Sequence, residues 1–279
     1  MTIPVVIVHT GAQLYFENCI RICKKTNPVL YIIGDETNIH LAAKYDVSHV
    51  PIKSLGTTTA IEDFKLNYKH LSTLSPSFEQ ICFLRMFWVD LFMKKFGFEQ
   101  VFHLDSDCIL LTDINSLHFN APSAISICQD YGNEHRMTSS VHNALLHTSF
   151  LSAFKALCHD IYVSRKKFTL ILPKSIHHRK NNLPGGICDM TIYYLIVKTS
   201  GLEVQNLQEQ FNGGIFLNNI ASGEGPLSKT QYKKDNTGQF CEIIDKNGEK
   251  YVHDTITNKL VRLHSIHYSG VAKRLLEKL

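Results

Sequence analysis

The sequence predicts an α/β fold: a mostly parallel central sheet with helices on both faces and a small additional β element. Three observations predict it. The first third of the chain alternates short apolar runs with amphipathic segments, in the order strand, helix, strand, helix, strand. Those runs are apolar throughout, as strands covered on both faces are. Near the C-terminus, Lys246-Asn247-Gly248 separates two apolar stretches, a turn signal for an antiparallel hairpin.

Each element follows from local pattern. Val5 to Val8 is the first strand, ending at His9-Thr10-Gly11. Gln13 to Lys25 carries Leu14, Cys19, Ile20 and Cys23 at helical spacing, and Pro28 stops it. Val29 to Ile33 is a second strand, ending at Gly34-Asp35. Asn38 to Tyr45 reads as a helix and Val47 to Ile52 as a third strand. Ser54 to Ser75 is polar and irregular, with partial helix. Pro76-Ser77 opens the strongest helix, Phe78 to Lys95, which Gly97 ends. Val101 to Leu104 is a strand, apolar character resumes at Cys108 to Leu111, and Ser123 to Cys128 is a further strand. Two modest helices are predicted over Val141 to His147 and Phe150 to Tyr162, then a loop over Lys174 to Pro184. Met190 to Lys198 is an apolar helix, Phe216-Leu217 lies in a strand, and Val271 to Leu279 forms a basic amphipathic helix.

The bulk properties set limits. A chain of 279 residues, 44% hydrophobic and 19% charged, can bury a core without staples. One domain spanning 1–279 is expected, with a nucleotide-binding half (1–130) and an acceptor-binding half that includes the C-terminal segment (131–279). The net charge of +4 suits an anionic ligand and is too small to argue for nucleic acid. The 8 cysteines sit mostly in apolar runs and form no CxxC pair, which fits free thiols in a reducing cytoplasm. No signal peptide precedes the first strand, and no run reaches the roughly 18 apolar residues of a membrane span. A transmembrane segment is therefore not expected, whereas the basic C-terminal helix allows peripheral contact with an anionic membrane.

Two segments carry chemistry. The first is Val101-Phe102-His103-Leu104-Asp105-Ser106-Asp107. Ligands of open parallel sheets gather at the carboxyl ends of strands, and paired carboxylates there bind a hard cation that bridges phosphate oxygens. Such a pair also marks solvated turns. The second is Leu263-His264-Ser265-Ile266-His267-Tyr268-Ser269-Gly270-Val271-Ala272-Lys273. His267 can supply a neutral imidazole, Gly270 a close backbone approach to phosphate, and Lys273 a point charge. A surface histidine beside a basic helix is the plainer alternative.

Together these segments resemble the nucleotide-sugar glycosyltransferases of the Rossmann-like GT-A fold. The likeness is greatest to the group containing bacterial lipooligosaccharide galactosyltransferases and glycogenin. That group pairs a strand-end DxD with a distant His-Tyr-x-Gly-x-x-Lys segment, matched here by Asp105, Asp107, His267, Tyr268, Gly270 and Lys273. Arg85 matches an arginine near the donor. The family's Pro-Trp after the lysine is replaced by Arg274-Leu275. The resemblance implies a divalent-metal-dependent transfer of a sugar from a nucleotide-diphosphate sugar, UDP-sugar foremost. Asp105, Asp107 and His267 are then expected to hold Mn²⁺ or Mg²⁺. Thr10, Gly11, Asp35, Arg85, Ser106, Gly270 and Lys273 are expected to contact the donor. The likeness leans toward a retaining hexosyltransferase.

Gly185-Gly186-Ile187-Cys188-Asp189-Met190 resembles the family's acceptor-side segment, which makes Asp189, with Arg85, a catalytic candidate. Asp189 can orient the donor sugar, act as base on the acceptor, or stabilise an oxocarbenium-like transition state; a plain helix N-cap is the alternative. Asn212-Gly213-Gly214 is either part of the same pocket or a tight turn. His135, His142, His147, His177 and His178 read as surface or loop residues. The expected acceptor is a glycan, a lipid-linked sugar or a protein. Two rival functions stand beside this one: a nucleotidyltransferase that makes a sugar nucleotide, and a non-catalytic sugar-nucleotide-binding protein.

Overall fold

A computed structural model describes residues 2–279. The first strand, β1 (Val5–His9), is buried along its whole length and feeds α1 (Leu14–Thr26). The pattern repeats through β2 (Leu30–Gly34), α2 (Ile39–Lys44) and β3 (Ser48–Pro51). Then come α3 (Thr59–Asn67), the short β4 (Leu71–Ser72) and α4 (Pro76–Phe96). Ser75 caps α4 by accepting from the Phe78 N–H, Pro76 occupies its first turn, and Gly97 closes it in the left-handed region at φ 73°. The sheet continues with β5 (Gln100–Leu104), while β6 (Cys108–Leu110) leaves it; β7 (Ser123–Ile127) and β8 (Ser139–His147) follow.

The second half contributes α5 (Thr148–Cys158), α6 (Leu172–Lys180), β9 (Gly186–Ile187), α7 (Asp189–Thr199), β10 (Val204–Asn206) and β11 (Gly214–Leu217). The hairpin strands β12 (Ile243–Lys246) and β13 (Glu249–Asp254), the long β14 (Lys259–His267) and the single turn α8 (Lys273–Leu276) complete the chain. The central sheet has the order β10-β7-β8-β5-β1-β2-β3. Its pairs are parallel except where β8 runs against β5 and β7. The second sheet has the order β11-β14-β13-β12, with β6 added antiparallel to the end of β14.

Alternate residues of β1 serve opposite layers. Val5 and Ile7 pack with α1 and the second sheet, Val6 and Val8 with α4, α5 and α7, so two cores flank the central sheet. Each fully buried Val, Leu, Ile or Phe side chain of these cores contributes about 1.5–3 kcal/mol. The expected α/β class with a mostly parallel sheet, helices on both faces and an extra β element is what forms. All cysteines but Cys82 are buried, and all are free. Among the described residues, no helix is long and apolar enough to cross a membrane.

Three expectations need correction. The basic helix expected over 271–279 is a 3-10 turn at Gly270–Ala272 followed by the single turn α8, Lys273–Leu276. Residues 141–147 are not a helix but part of β8. The strand lies between β5 and β7 and is buried on both faces, so its apolar residues do not alternate and mimic helical spacing. The expected loop over 174–184 is largely α6, a helix whose last turn is polar and basic throughout and shows no apolar period. The polar excursion over 54–75 does contain a helix, α3, held by Ile61 and Phe64 alone.

Candidate active site

The acidic pair sits where β5 ends and the chain turns into β6. A tight turn, closed by the Cys108 N–H donating to the Asp105 carbonyl at 3.0 Å, projects Asp105 and Asp107 from the sheet edge. The Asp105 N–H is tied to the His142 carbonyl at 2.9 Å, anchoring the turn to β8. Strand pairing then brings the distant segment in: β6 and β14 register Cys108 against His267, and the Tyr268 N–H donates to the Asp107 carbonyl at 2.8 Å.

Three of the sequence candidates meet here. His267 Nε2 lies 3.4 Å from Asp107 Oδ1, and Lys273 Nζ lies 3.2 Å from Asp107 Oδ2. Burial alone would raise the Asp107 pKa, but the His267 and Lys273 contacts outweigh it and hold the carboxyl well below the usual range. Burial lowers the His267 pKa, and Asp107 more than restores it, so the net shift is upward. The other nitrogen, Nδ1, is 2.7 Å from the Asn218 carbonyl, which fixes the ring and leaves Nε2 facing Asp107. The His267 ring stacks on His142 with centroids 4.2 Å apart. Lys273 rests over the Tyr15 ring, 4.8 Å from its centroid. A carboxylate and an imidazole this close are suited as donors to a divalent cation of the Mg²⁺ or Mn²⁺ kind. Asp105 stands on the same turn but does not join the close set of Asp107, Cys108 and His267.

Asp105 instead meets Arg85. The guanidinium reaches Asp105 Oδ1 with Nη1 at 2.5 Å and Asp189 Oδ2 with Nη2 at 3.2 Å, joining α4, the β5 end and α7. Asp189 is almost fully occupied: Tyr193 donates its hydroxyl to Oδ2 at 3.1 Å, and the Met190 N–H donates to Oδ1 at 2.9 Å. Burial raises its pKa, and Arg85 offsets only part of that rise.

Two chambers open against this arrangement. The outer one, about 250 Å³, is lined by Thr10, Tyr15, Ser106, Asp107 and Lys273, with Phe78, Cys82, Arg85 and Asp105 as one wall. The inner one, about 210 Å³, shares that wall and is closed by Glu79, Asp189, Tyr193 and His267. Gly11 and Asp35 stand beside the outer chamber without lining it. Asp35 accepts from the Gly11 N–H at 3.0 Å and from Thr37, which laces the ends of β1 and β2 together. Gly270 lies exposed at φ 60°, with nothing within 4 Å of an added Cβ, so its backbone conformation and not crowding calls for glycine. Asn212-Gly213-Gly214 is a tight turn closed by paired hydrogen bonds between Phe211 and Gly214.

Sequence reasoning missed several neighbours. His142 was expected at the surface and is 2% exposed beneath His267. Glu79, Tyr15 and Tyr193 were not singled out. Glu79 follows the Ser75 cap in the first turn of α4, where an acidic residue is ordinary and gives no further signal.

No family model matches the chain, and a search of curated proteins finds no match either. Solved structures do resemble it. Mouse xyloside xylosyltransferase 1 superposes with a TM-score of 0.50 at 12% identity, over 74% of this chain and 85% of that one. A glycosyltransferase involved in glycosylating the major capsid of PBCV-1 aligns over 100% of this chain and 98% of its own, at 10% identity and a TM-score of 0.42. A cytidylyltransferase from Leptospira borgpetersenii aligns over 64% of this chain and 73% of its own, at 12% identity and a TM-score of 0.34. The first of these likenesses identifies the fold as a glycosyltransferase fold; the other two superpose too loosely to argue from.

Proposed function

We propose that this chain is a divalent-metal-dependent glycosyltransferase that moves a sugar from a nucleotide-diphosphate donor, foremost a UDP-sugar, to an acceptor. One observation carries the reading: Asp107, His267 and Lys273, distant in sequence, converge at the carboxyl end of the sheet in a glycosyltransferase fold. The outer chamber takes the nucleotide. Thr10 and Ser106 line it, Gly11 and Asp35 stand at its edge for the base and ribose, and the turn at Gly270 leads into Lys273. The nucleotide half is then 1–130, while 131–279 supplies the acceptor side and the C-terminal diphosphate segment.

Asp107 and His267, with Asp105 from the same turn, would hold Mn²⁺ or Mg²⁺. Once bound, the cation supplies Lewis-acid neutralisation of the charge that builds on the departing diphosphate. Lys273 adds a fixed positive charge to the same end of the donor. Arg85 holds Asp105 and Asp189 in place, and Asp189, fixed by Tyr193 and the Met190 N–H, offers negative charge to the reacting sugar. Transfer with retention, to a glycan, a lipid-linked sugar or a protein, is the form of the reaction that the sequence resemblance favours.

Calorimetric titration of UDP with and without Mn²⁺ tests this. The parent protein is expected to bind UDP far more tightly with the metal, and Asp107→Ala and His267→Ala are expected to lose that increment while still folding. Metal-independent binding by the parent, or an unchanged increment in both variants, would refute the reading.

A further inference from the structure

The inner chamber holds a carboxyl group that the scheme above does not use. Glu79, in the first turn of α4, is 1% exposed, and its carboxyl lies in one close set with Asp189 and Cys188. Its Oε2 is buried and, among the described residues, has no hydrogen-bond partner. Buried polar oxygens are nearly always satisfied and leaving one bare is costly, so an unpartnered carboxyl oxygen on a residue of the chamber wall marks a place where a ligand's hydroxyl belongs. Asp189 is in the opposite condition. Its oxygens are already engaged by Arg85, Tyr193 and the Met190 N–H, so it has little capacity to take a proton.

We propose that Glu79 accepts the proton of the attacking hydroxyl, and that the inner chamber is where that hydroxyl sits. This rests on the glycosyltransferase reading and names its base. On the face from which the diphosphate departs, as retention requires, the oxygen of the attacking hydroxyl forms a bond to the anomeric carbon as the bond from that carbon to the β-phosphate oxygen breaks. The electron pair of the broken bond leaves with the diphosphate, and the hydroxyl proton passes to Glu79 Oε2. The resulting carboxylic acid returns the proton to solvent once product has left.

The surroundings tune Glu79 for this exchange. Burial and the like charge of Asp189 push its pKa up to about 7, so it is partly ionised at neutral pH and a stronger base than an exposed glutamate. The other groups facing it are Arg85 and Cys82 on its own helix, Tyr68, Tyr162, Lys174 and Cys188. The thiols and phenols among them are pushed upward and stay neutral through neutral pH.

Water can serve as the acceptor in the test, so no natural acceptor is needed. Release of UDP from UDP-glucose, UDP-galactose, UDP-xylose and UDP-N-acetylglucosamine is followed between pH 5 and 9. Saturating Mn²⁺ keeps protonation of His267 from limiting the rate. For Glu79→Gln, kcat is expected to fall by about 10² to 10⁴-fold with donor KM unchanged, and the acid limb of the kcat profile to disappear. A Glu79→Gln variant that keeps the parent's kcat and acid limb overturns the proposal. No UDP release by the parent from any donor refutes the glycosyltransferase reading itself. Thermal melting checks the fold. Should glutamine not be tolerated, Glu79→Asp decides: a displaced base lowers kcat but keeps the acid limb, whereas an acid with a merely structural role leaves kcat unchanged.

Discussion

The outer and inner chambers share Phe78, Cys82, Arg85 and Asp105 as a common wall, yet each adds different charged groups to it. On the outer side Lys273 stands over Tyr15, and Asp107 is held ionised between Lys273 and His267. On the inner side two carboxyl groups, Glu79 and Asp189, face each other in an apolar lining. The same helix, α4, serves both: Arg85 lies in the wall and Glu79 lies nearly two turns earlier, inside. An anionic leaving group suits the first chamber and a hydroxyl that must lose a proton suits the second. The partition is α4 with the end of β5, and the groups added on its two sides differ.

Removing the divider breaks the comparison most severely. Arg85→Ala leaves Asp105 and the buried Asp189 without their cation, and a loss of about 3–5 kcal/mol in stability is expected, read by denaturant unfolding. Arg85→Lys is expected to recover only part of it, since a single ammonium cannot span two carboxylates as the planar guanidinium does.

Acid comes next in effect. Burial depresses His9 and His103 to about 4 and pushes His142 well below its ordinary value. The unfolded chain therefore binds more protons than the folded one between about pH 6.5 and 4, and stability falls across that window by about 1.4 kcal/mol per pH unit for each histidine. Glu79 and His267 are shifted upward and oppose the loss, because the folded state takes their protons first as the pH drops. A net loss is expected in urea midpoints between pH 6.5 and 4, steeper in Glu79→Gln. A flat or rising midpoint would count against neutral buried imidazoles beneath the site.

The smallest effect isolates the outer chamber. Lys273→Ala is expected to weaken UDP binding about tenfold, or about 1.4 kcal/mol, and to leave the Glu79-dependent acid limb of kcat in place. Calorimetry and the pH profile read the two chambers separately.

How much of this was legible depended on what each residue owed to its neighbours in sequence. The βαβαβ opening was readable because β1 and β2 are apolar runs ended by glycine and polar residues, so local pattern and burial agree. Asp105, Asp107, His267 and Lys273 were readable as paired motifs, Arg85 by its place on the helix before the acidic strand, and Asp189 by its own Gly-Gly-Ile-Cys-Asp segment. β8 was misread because a strand covered on both faces loses the alternation that identifies strands. His142 went with it: a histidine in an assumed helix or loop has no reason to be buried, whereas in a central strand it must be. Glu79 was invisible for a different reason. Its meaning comes from Asp189 on another helix and from an oxygen left without a partner, and neither is a property of the sequence around it.

The antiparallel zipper between β6 and the end of β14 has a consequence for the timing of synthesis. A translating ribosome makes the β1–β5 layer and the acidic turn before His267 and Lys273, which lie about 160 residues further along the chain. Until β14 docks in its single register, the nascent polypeptide displays an acidic turn with neither imidazole nor ammonium beside it. Because side chains alternate along a strand, a slip of one residue would aim His267 at the opposite face. The cluster of Asp107, His267 and Lys273 is thereby completed only when β14 pairs with β6.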